Sequence, residues 1–177
     1  TLKNGRQVVF RLLQAGDCEA LYNYLQNLSA ESRSRFGPHA FDSKTVDHIC
    51  KHMDTDDVLR YVAFHDGLII SYMLIKHGLM EWDSIRFTQR NQFFDASDTA
   101  TFAPSVLDAF QNTGLGTLMY NQILEDLKHK GYKNLVLWGG VQATNYRAVH
   151  FYKKLGFQTI GSFWHDGKDN FDMVLPL

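Results

Sequence analysis

The residues best suited to chemistry lie in Gln111–Thr117, Q-N-T-G-L-G-T, where Gly114 and Gly116 open an amphipathic run. The run continues to K-H-K-G and predicts a helix with Leu115, Leu118, Met119, Ile123 and Leu127 on one stripe. The first turn of a helix carries backbone N–H groups with no partner inside the helix, together with the positive end of its dipole. Glycines at such a place let a ligand come close to the main chain. The chemistry on offer is phosphate binding by amides, with a plain turn as the alternative. Two familiar phosphate motifs are excluded. G-x-x-x-x-G-K-[ST] does not occur, and the third glycine and the acidic residue of a dinucleotide fingerprint are missing.

Other reactive types are scattered. His48 and His52 form an i,i+4 pair around Cys50, but no further ligand cluster completes a metal site, and a solvated helix face is the expected reading. No metal is expected. Glu81, Asp83, Asp95 and Asp98 are general-base candidates by type, each with a solvated surface carboxylate as its alternative.

The elements that position these residues follow from periodicity. Gln7–Leu13 reads as a strand, and Asp17 as the N-cap of a helix with Cys18, Leu21, Leu25 and Leu28 at helical spacing. Ser29 opens a short helix ending at Gly37-Pro38, and Ser43 caps a third whose apolar face is Val46, Ile49, Cys50 and Met53. Val58–Phe64 and Leu68–Lys76 form a hairpin across Asp66-Gly67. The segment from Gly78 to Asp98 reads either as a short helix or as an ordered loop. Thr99–Leu107 is a strand whose Pro104 belongs at an edge or a bulge. The glycine-flanked helix ends at Lys130-Gly131. Asn134–Trp138 is then a buried strand parallel to the previous one. A helix from a Thr144 cap to Gly156 and two strands flanking H-D-G-K-D-N complete the chain.

Composition bounds the function. A chain of 177 residues with 45% hydrophobic and 21% charged residues suits one soluble domain, taken as 1–177. A formal net charge of −1 gives no field for nucleic acid or an anionic membrane. No apolar run reaches the roughly 20 residues that span a bilayer, and the polar start T-L-K-N-G-R-Q does not resemble a signal peptide. Cys18 and Cys50 are expected to be buried free thiols, which makes a cytoplasmic location the default.

A second stretch, Asn145–Phe157 (N-Y-R-A-V-H-F-Y-K-K-L-G-F), follows Gln111–Thr117 by some thirty residues. Together they resemble the signature segments of the GNAT superfamily, the acyl-CoA-dependent N-acetyltransferases. Gln111, Gly114 and Gly116 match Q-x-x-G-x-G/A; Asn145, Ala148, Tyr152, Gly156 and Phe157 match N-x-x-A-x-x-x-Y-x-x-x-G-F. The resemblance covers nearly the whole chain. It implies a mixed α/β (α+β) fold, a single GNAT-type domain with a mostly antiparallel twisted sheet of about seven strands and helices on both faces, ordered β-α-α-β-β-β-α-β-α-β-β.

Carried over by position, the resemblance implies that Gln111 and the turn Asn112, Thr113, Gly114, Leu115, Gly116 and Thr117 hold the pyrophosphate of acetyl-CoA through their amides. Backbone groups at Ser105 and Val106 would pair with the pantetheine arm, and Asn145 would bond it. The Tyr152 hydroxyl would sit near the thioester sulfur, bind there and act as general acid. Asn112 and Thr113 depart from the family, which commonly carries Arg, Lys or Gly there; Arg147, Lys153 and Lys154 either compensate or form a solvated face. The segment 78–98 is longer than usual and is expected to shape the acceptor site. The implied reaction is acetyl transfer from acetyl-CoA to a primary amine of a small molecule, peptide or protein. A non-catalytic acyl-CoA sensor or scaffold of the same fold is the alternative, as are transfer to a hydroxyl and a longer acyl group. Homodimerisation through a sheet edge or terminal strand stays open.

Overall fold

The computed structural model describes residue 2 and residues 5–177. Eight strands form one open sheet with the order β1-β2-β3-β4-β5-β8-β6, and β7 pairs with β8. They are β1 (Val9–Leu12), β2 (Val58–His65), β3 (Leu68–His77), β4 (Thr99–Val106), β5 (Asn134–Leu137), β6 (Val141–Gln142), β7 (Gln158–His165) and β8 (Lys168–Pro176). The helices are α1 (Cys18–Gln26), α2 (Ala30–Ser34), α3 (Ser43–His52), α4 (Glu81–Gln89), α5 (Leu115–His129) and α6 (Tyr146–Lys154). The expected mixed α/β class and mostly antiparallel sheet are found. The expected order lacked one N-terminal helix, α4, and the two-residue strand β6, so eight strands replace about seven.

Backbone contacts divide the chain into a unit of residues 1–75 and 103–125 and a unit of residues 76–102 and 126–177. In the first, β1 pairs antiparallel with β2, and β3 reads as a buried apolar run because Ile69 through Ile75 are all at most 3% exposed. The turn between β2 and β3 is Asp66-Gly67, both with left-handed φ (49° and 77°), the two-residue geometry that matches strand twist. Leu21, Tyr24, Leu25 and Leu28 of the α1 region and Val46 and Ile49 of α3 are buried beside them.

Several local expectations are corrected here. Asp17 makes no cap bond to α1; its carboxylate accepts from the Gln14 N–H (2.8 Å) and from the Arg11 guanidinium (2.5 and 2.9 Å), which holds it below the usual aspartate range. Ser29 does cap α2, accepting from Ser32 N–H, but α2 stops at Ser34, short of Gly37. Asp42 rather than Ser43 caps α3, because its carboxylate reaches the Thr45 N–H at 2.8 Å. Cys18 and Cys50 are joined as a disulfide, Cα–Cα 6.2 Å, so among the described residues there are no free thiols. The cysteines therefore no longer support a reducing compartment. Leu118 is 45% exposed and leaves the α5 stripe, while Tyr120 joins it. At about 100° per residue, Leu118 falls outside the arc spanned by Leu115, Met119, Ile123 and Leu127.

The second unit carries β5, parallel to β4 over Thr99–Phe102 and antiparallel to β8. Pro104 follows the last β4 residue in register with β5, so its missing N–H removes no bond from that ladder. β7 and β8 form the final hairpin, whose turn is only Asp166-Gly167 (φ 48° and 70°). The segment 78–98 contains a true helix: Phe87 of α4 packs into a core with Val136 and Val174, bordered by Leu79, Phe94 and Ile160. No helix among the described residues is long and apolar enough to cross a membrane.

Candidate active site

The turn after β4 is built so that its side chains shape it and its amides are left over. A short 3-10 turn, Asp108–Phe110, follows β4. Asp108 accepts from Ser29 Oγ (2.9 Å), Ser32 Oγ (2.9 Å) and Ser29 N–H (3.3 Å). Burial raises its pKa, but the serine hydrogen bonds prevail and hold it below the ordinary range. The Gln111 Nε2 donates to the Val106 carbonyl (3.1 Å), and the Thr113 hydroxyl to the Phe110 carbonyl (2.6 Å). Asn112 (φ 62°) and Gly114 (φ 88°) take left-handed backbone, which an L side chain adopts at a cost of roughly 1–2 kcal/mol. The first α5 bond is Leu118 N–H to Gly114 O at 3.0 Å. The amides of Leu115, Gly116 and Thr117 therefore precede the internal ladder and face the helix end, while the Leu115 side chain is fully buried. This is an amide cradle at the positive end of a 15-residue helix, and it fits a pyrophosphate group.

Ser105 and Val106 stand on the same strand end. The Ser105 carbonyl accepts from Ser71 Oγ (2.7 Å), and its hydroxyl meets the Tyr24 hydroxyl at 2.7 Å. The Val106 carbonyl takes the Gln111 bond already described.

The second motif stretch lies in the second unit. Asn145, not Thr144, caps α6: its Oδ1 accepts from the Ala148 N–H at 3.3 Å. Tyr152 is 7% exposed, with its ring between Phe151 (5.6 Å) and Phe157 (5.4 Å). Burial pushes its hydroxyl pKa up, so it is protonated at neutral pH. The helix ends as expected at Gly156, with Phe157 N–H donating back to the Tyr152 carbonyl at 3.0 Å. Arg147, Lys153 and Lys154 are exposed.

The four candidate carboxylates do not act as one group. Glu81 is exposed, Asp95 accepts from Ser97 in its own turn, and Asp98 pairs with Lys133 at 2.8 Å. Asp83 is not solvated; it is 1% exposed. Its oxygens accept from Arg86 (2.5 Å) and the Gly139 N–H (3.1 Å), yet burial prevails and its pKa is raised. Arg86 also binds Asp172 (2.8 Å) and stacks on Phe163 at 3.7 Å. Arg90 pairs with Asp172 and donates to the Ser162 carbonyl at 2.5 Å. This two-aspartate, two-arginine cluster joins α4, β7, β8 and the turn after β5. Gly140 fits that turn because a Cβ there would lie 2.6 Å from the Phe171 carbonyl. Sequence reasoning missed the cluster; its only local trace was the Asp83, Arg86, Arg90 spacing on one face of α4.

His48 and His52 stack at 4.2 Å on the exposed side of α3, and among the described residues no group of three ligand types could hold a metal.

A sequence model of the acetyltransferase (GNAT) family matches residues 22–157. The chain belongs to the GNAT acetyltransferase family. As a member it is an acyltransferase, and its two motif stretches coincide with the cradle and with α6. The N-alpha-acetyltransferase of Sulfurisphaera tokodaii is 25% identical over 130 residues, 72% of this chain and 74% of that protein. The GNAT domain of S. lividans PAT superposes with TM-score 0.77 at 20% identity, covering 99% of this chain and 94% of that one. The aminoglycoside acetyltransferase AAC(6')-Ib in complex with coenzyme A superposes with TM-score 0.72 at 21% identity, covering 96% and 95%.

Proposed function

We propose that this GNAT protein moves an acetyl group from acetyl-CoA to a primary amine by direct attack of the amine on the thioester. The observation that carries the reading is the left-handed Gly114 turn with open amides at the start of α5. Gln111 shapes that cradle, Asn112 through Thr117 hold pyrophosphate, and Ser105 and Val106 offer main-chain groups to the pantetheine arm. Motif register assigns Asn145 to that arm and Tyr152 to the sulfur. A buried phenol stays protonated and can donate to the departing thiolate as the C–S bond breaks. Its raised pKa lies above the roughly 8.5 of an ordinary thiol, so it helps as a hydrogen-bond donor while charge develops and transfers its proton late.

The relatives named N-alpha-acetyltransferase support the α-amino group of a peptide as the first acceptor to try, with small-molecule amines second. A highly charged co-substrate supports a cytoplasmic location, and the near-neutral formal charge of −1 supports neither nucleic acid nor membrane as partner. Homodimerisation through the exposed β7 edge is the assembly to test by sedimentation.

The deciding experiment follows release of free thiol from acetyl-CoA with peptide, polyamine and neutral amines, for wild type and Tyr152→Phe. The expected result is turnover by wild type and a kcat about 10²-fold lower in the variant, with acetyl-CoA affinity unchanged. Binding of acetyl-CoA without turnover of any acceptor would instead favour the sensor reading.

A further inference from the structure

His39 lies between α2 and α3, just after Gly37-Pro38, and none of the chemistry above uses it. Its Nδ1 stands 2.8 Å from the Ala40 carbonyl. A carbonyl can only accept, so Nδ1 carries the proton and Nε2 carries the lone pair. That Nε2 is buried and has no hydrogen-bond partner among the described residues. Buried acceptors are seldom left this way, because water has been given up and nothing replaces it. The ring is packed by Phe36 (5.5 Å, edge-on), Tyr72 (5.7 Å) and Phe41 (6.5 Å). Tyr72 in turn meets Tyr24 edge-on at 6.3 Å, and the Tyr24 hydroxyl meets Ser105 Oγ at 2.7 Å. An unbroken run of side chains therefore leads from His39 to the β4 position assigned to the pantetheine arm.

We propose that His39 is the general base of the acetyl transfer, taking a proton through Nε2, directly or across one water, from the ammonium group of the acceptor. The inference rests on the transferase reading given above. A tautomer fixed by a carbonyl on one nitrogen, with an unsatisfied lone pair on the other, is what such a base requires. Burial holds the imidazole pKa below its ordinary value, and the nearby Arg60 charge acts in the same sense, against the Ala40 bond. The charged and titratable neighbours are few: Tyr72 from β3, and Arg60 from β2, itself paired with Asp56. The imidazole is therefore neutral at neutral pH, with the Nε2 lone pair available to take a proton. In the step, the ammonium gives one proton to Nε2 and the freed nitrogen lone pair forms the C–N bond to the acetyl carbon. The C–S bond breaks, and the thiolate takes the Tyr152 proton. The second proton lost by nitrogen restores Tyr152, and His39 returns its own to water. The net release is one proton per amide formed.

The test is the pH–rate profile of wild type, His39→Asn and His39→Gln with two acceptors, one cationic at pH 7 and one already neutral. Asparagine retains a donor for the Ala40 carbonyl and removes the base. The expected result is a fall of about 10²-fold or more in kcat for the cationic acceptor, loss of the acid limb, and acetyl-CoA affinity within twofold of wild type. The deficit should shrink at least tenfold for the neutral acceptor, which needs no base for its first proton. A variant with unaltered rate and acid limb, or with one equal deficit for both acceptors, would overturn the assignment. Should both variants fold poorly, the wild-type imidazole nitrogen resonances decide, since cationic amine must shift Nε2 and an unmoved signal overturns the proposal. Failure of the transferase reading itself is distinct: wild type would then transfer acetyl to neither acceptor.

Discussion

The turn after β4 and the cluster beside α4 satisfy their polar groups in opposite ways. In the turn, Asp108, Gln111 and Thr113 all bond back to main chain or to nearby serines, and main-chain amides are left for an outside partner. In the cluster, Asp83, Asp172, Arg86 and Arg90 satisfy one another. The first arrangement can receive an anion without moving a side chain. The second has its charges matched within itself, so its work is to hold α4 on the sheet and fix the Gly139-Gly140 turn.

The largest effect expected from this contrast is on stability. Asp172→Ala would take from Arg90 the carboxylate it pairs with and leave Arg86 with Asp83 alone, and breaking one side of a buried pair costs about 3–5 kcal/mol. Urea unfolding measures it. A loss below about 1 kcal/mol, typical of solvated pairs, would remove the distinction between the two regions.

Legibility follows the same divide. The cradle was readable because Gln111, Gly114 and Gly116 are close in sequence and the helix after them is strongly periodic. The hairpins at Asp66-Gly67 and Asp166-Gly167, the parallel β4–β5 pair and the stop at Gly156 are local signals too. The cluster is not local: residues 83, 86 and 90 meet 139, 162 and 172 only once the sheet has formed. Asp83 therefore looked like a surface carboxylate. The Cys18–Cys50 bond, 32 residues apart, was hidden for the same reason. Caps went astray by one residue at Asp42 and Asn145, because neighbouring residues of suitable type compete and only backbone geometry chooses.

The next effect is on binding. Gly114→Glu puts a side chain on left-handed backbone and a negative charge at the cradle, so acetyl-CoA affinity should fall about 100-fold, roughly 2.7 kcal/mol, by calorimetric titration. Gln111→Ala should cost less. It removes the neutral Nε2 bonds to the Val106 carbonyl (3.1 Å) and to Ser32 Oγ (3.5 Å), the stronger worth about 1 kcal/mol, and weakens binding only through a looser turn. If Gln111→Ala abolished binding while Gly114→Glu did not, the side chain rather than the main chain would be the recognition element.

The smallest effect separates the two regions by sign. Asp108 has a lowered folded pKa, so between that value and the unfolded value near 3.9 the unfolded chain binds more protons. Its contribution is present above pH 4 and fades as pH falls through the folded pKa. Asp83 has a raised folded pKa, so above about pH 4 the native state holds the proton more tightly. Its contribution is fullest at low pH and declines as pH rises through the folded pKa. Stability measured from pH 3 to 7 should therefore lose part of its acid-side drop in Asp108→Asn, and should rise more steeply with pH in Asp83→Asn than in wild type. Equal changes of slope in both variants would mean that the cluster is as wet as the turn, and that its charges are held by solvent rather than by each other.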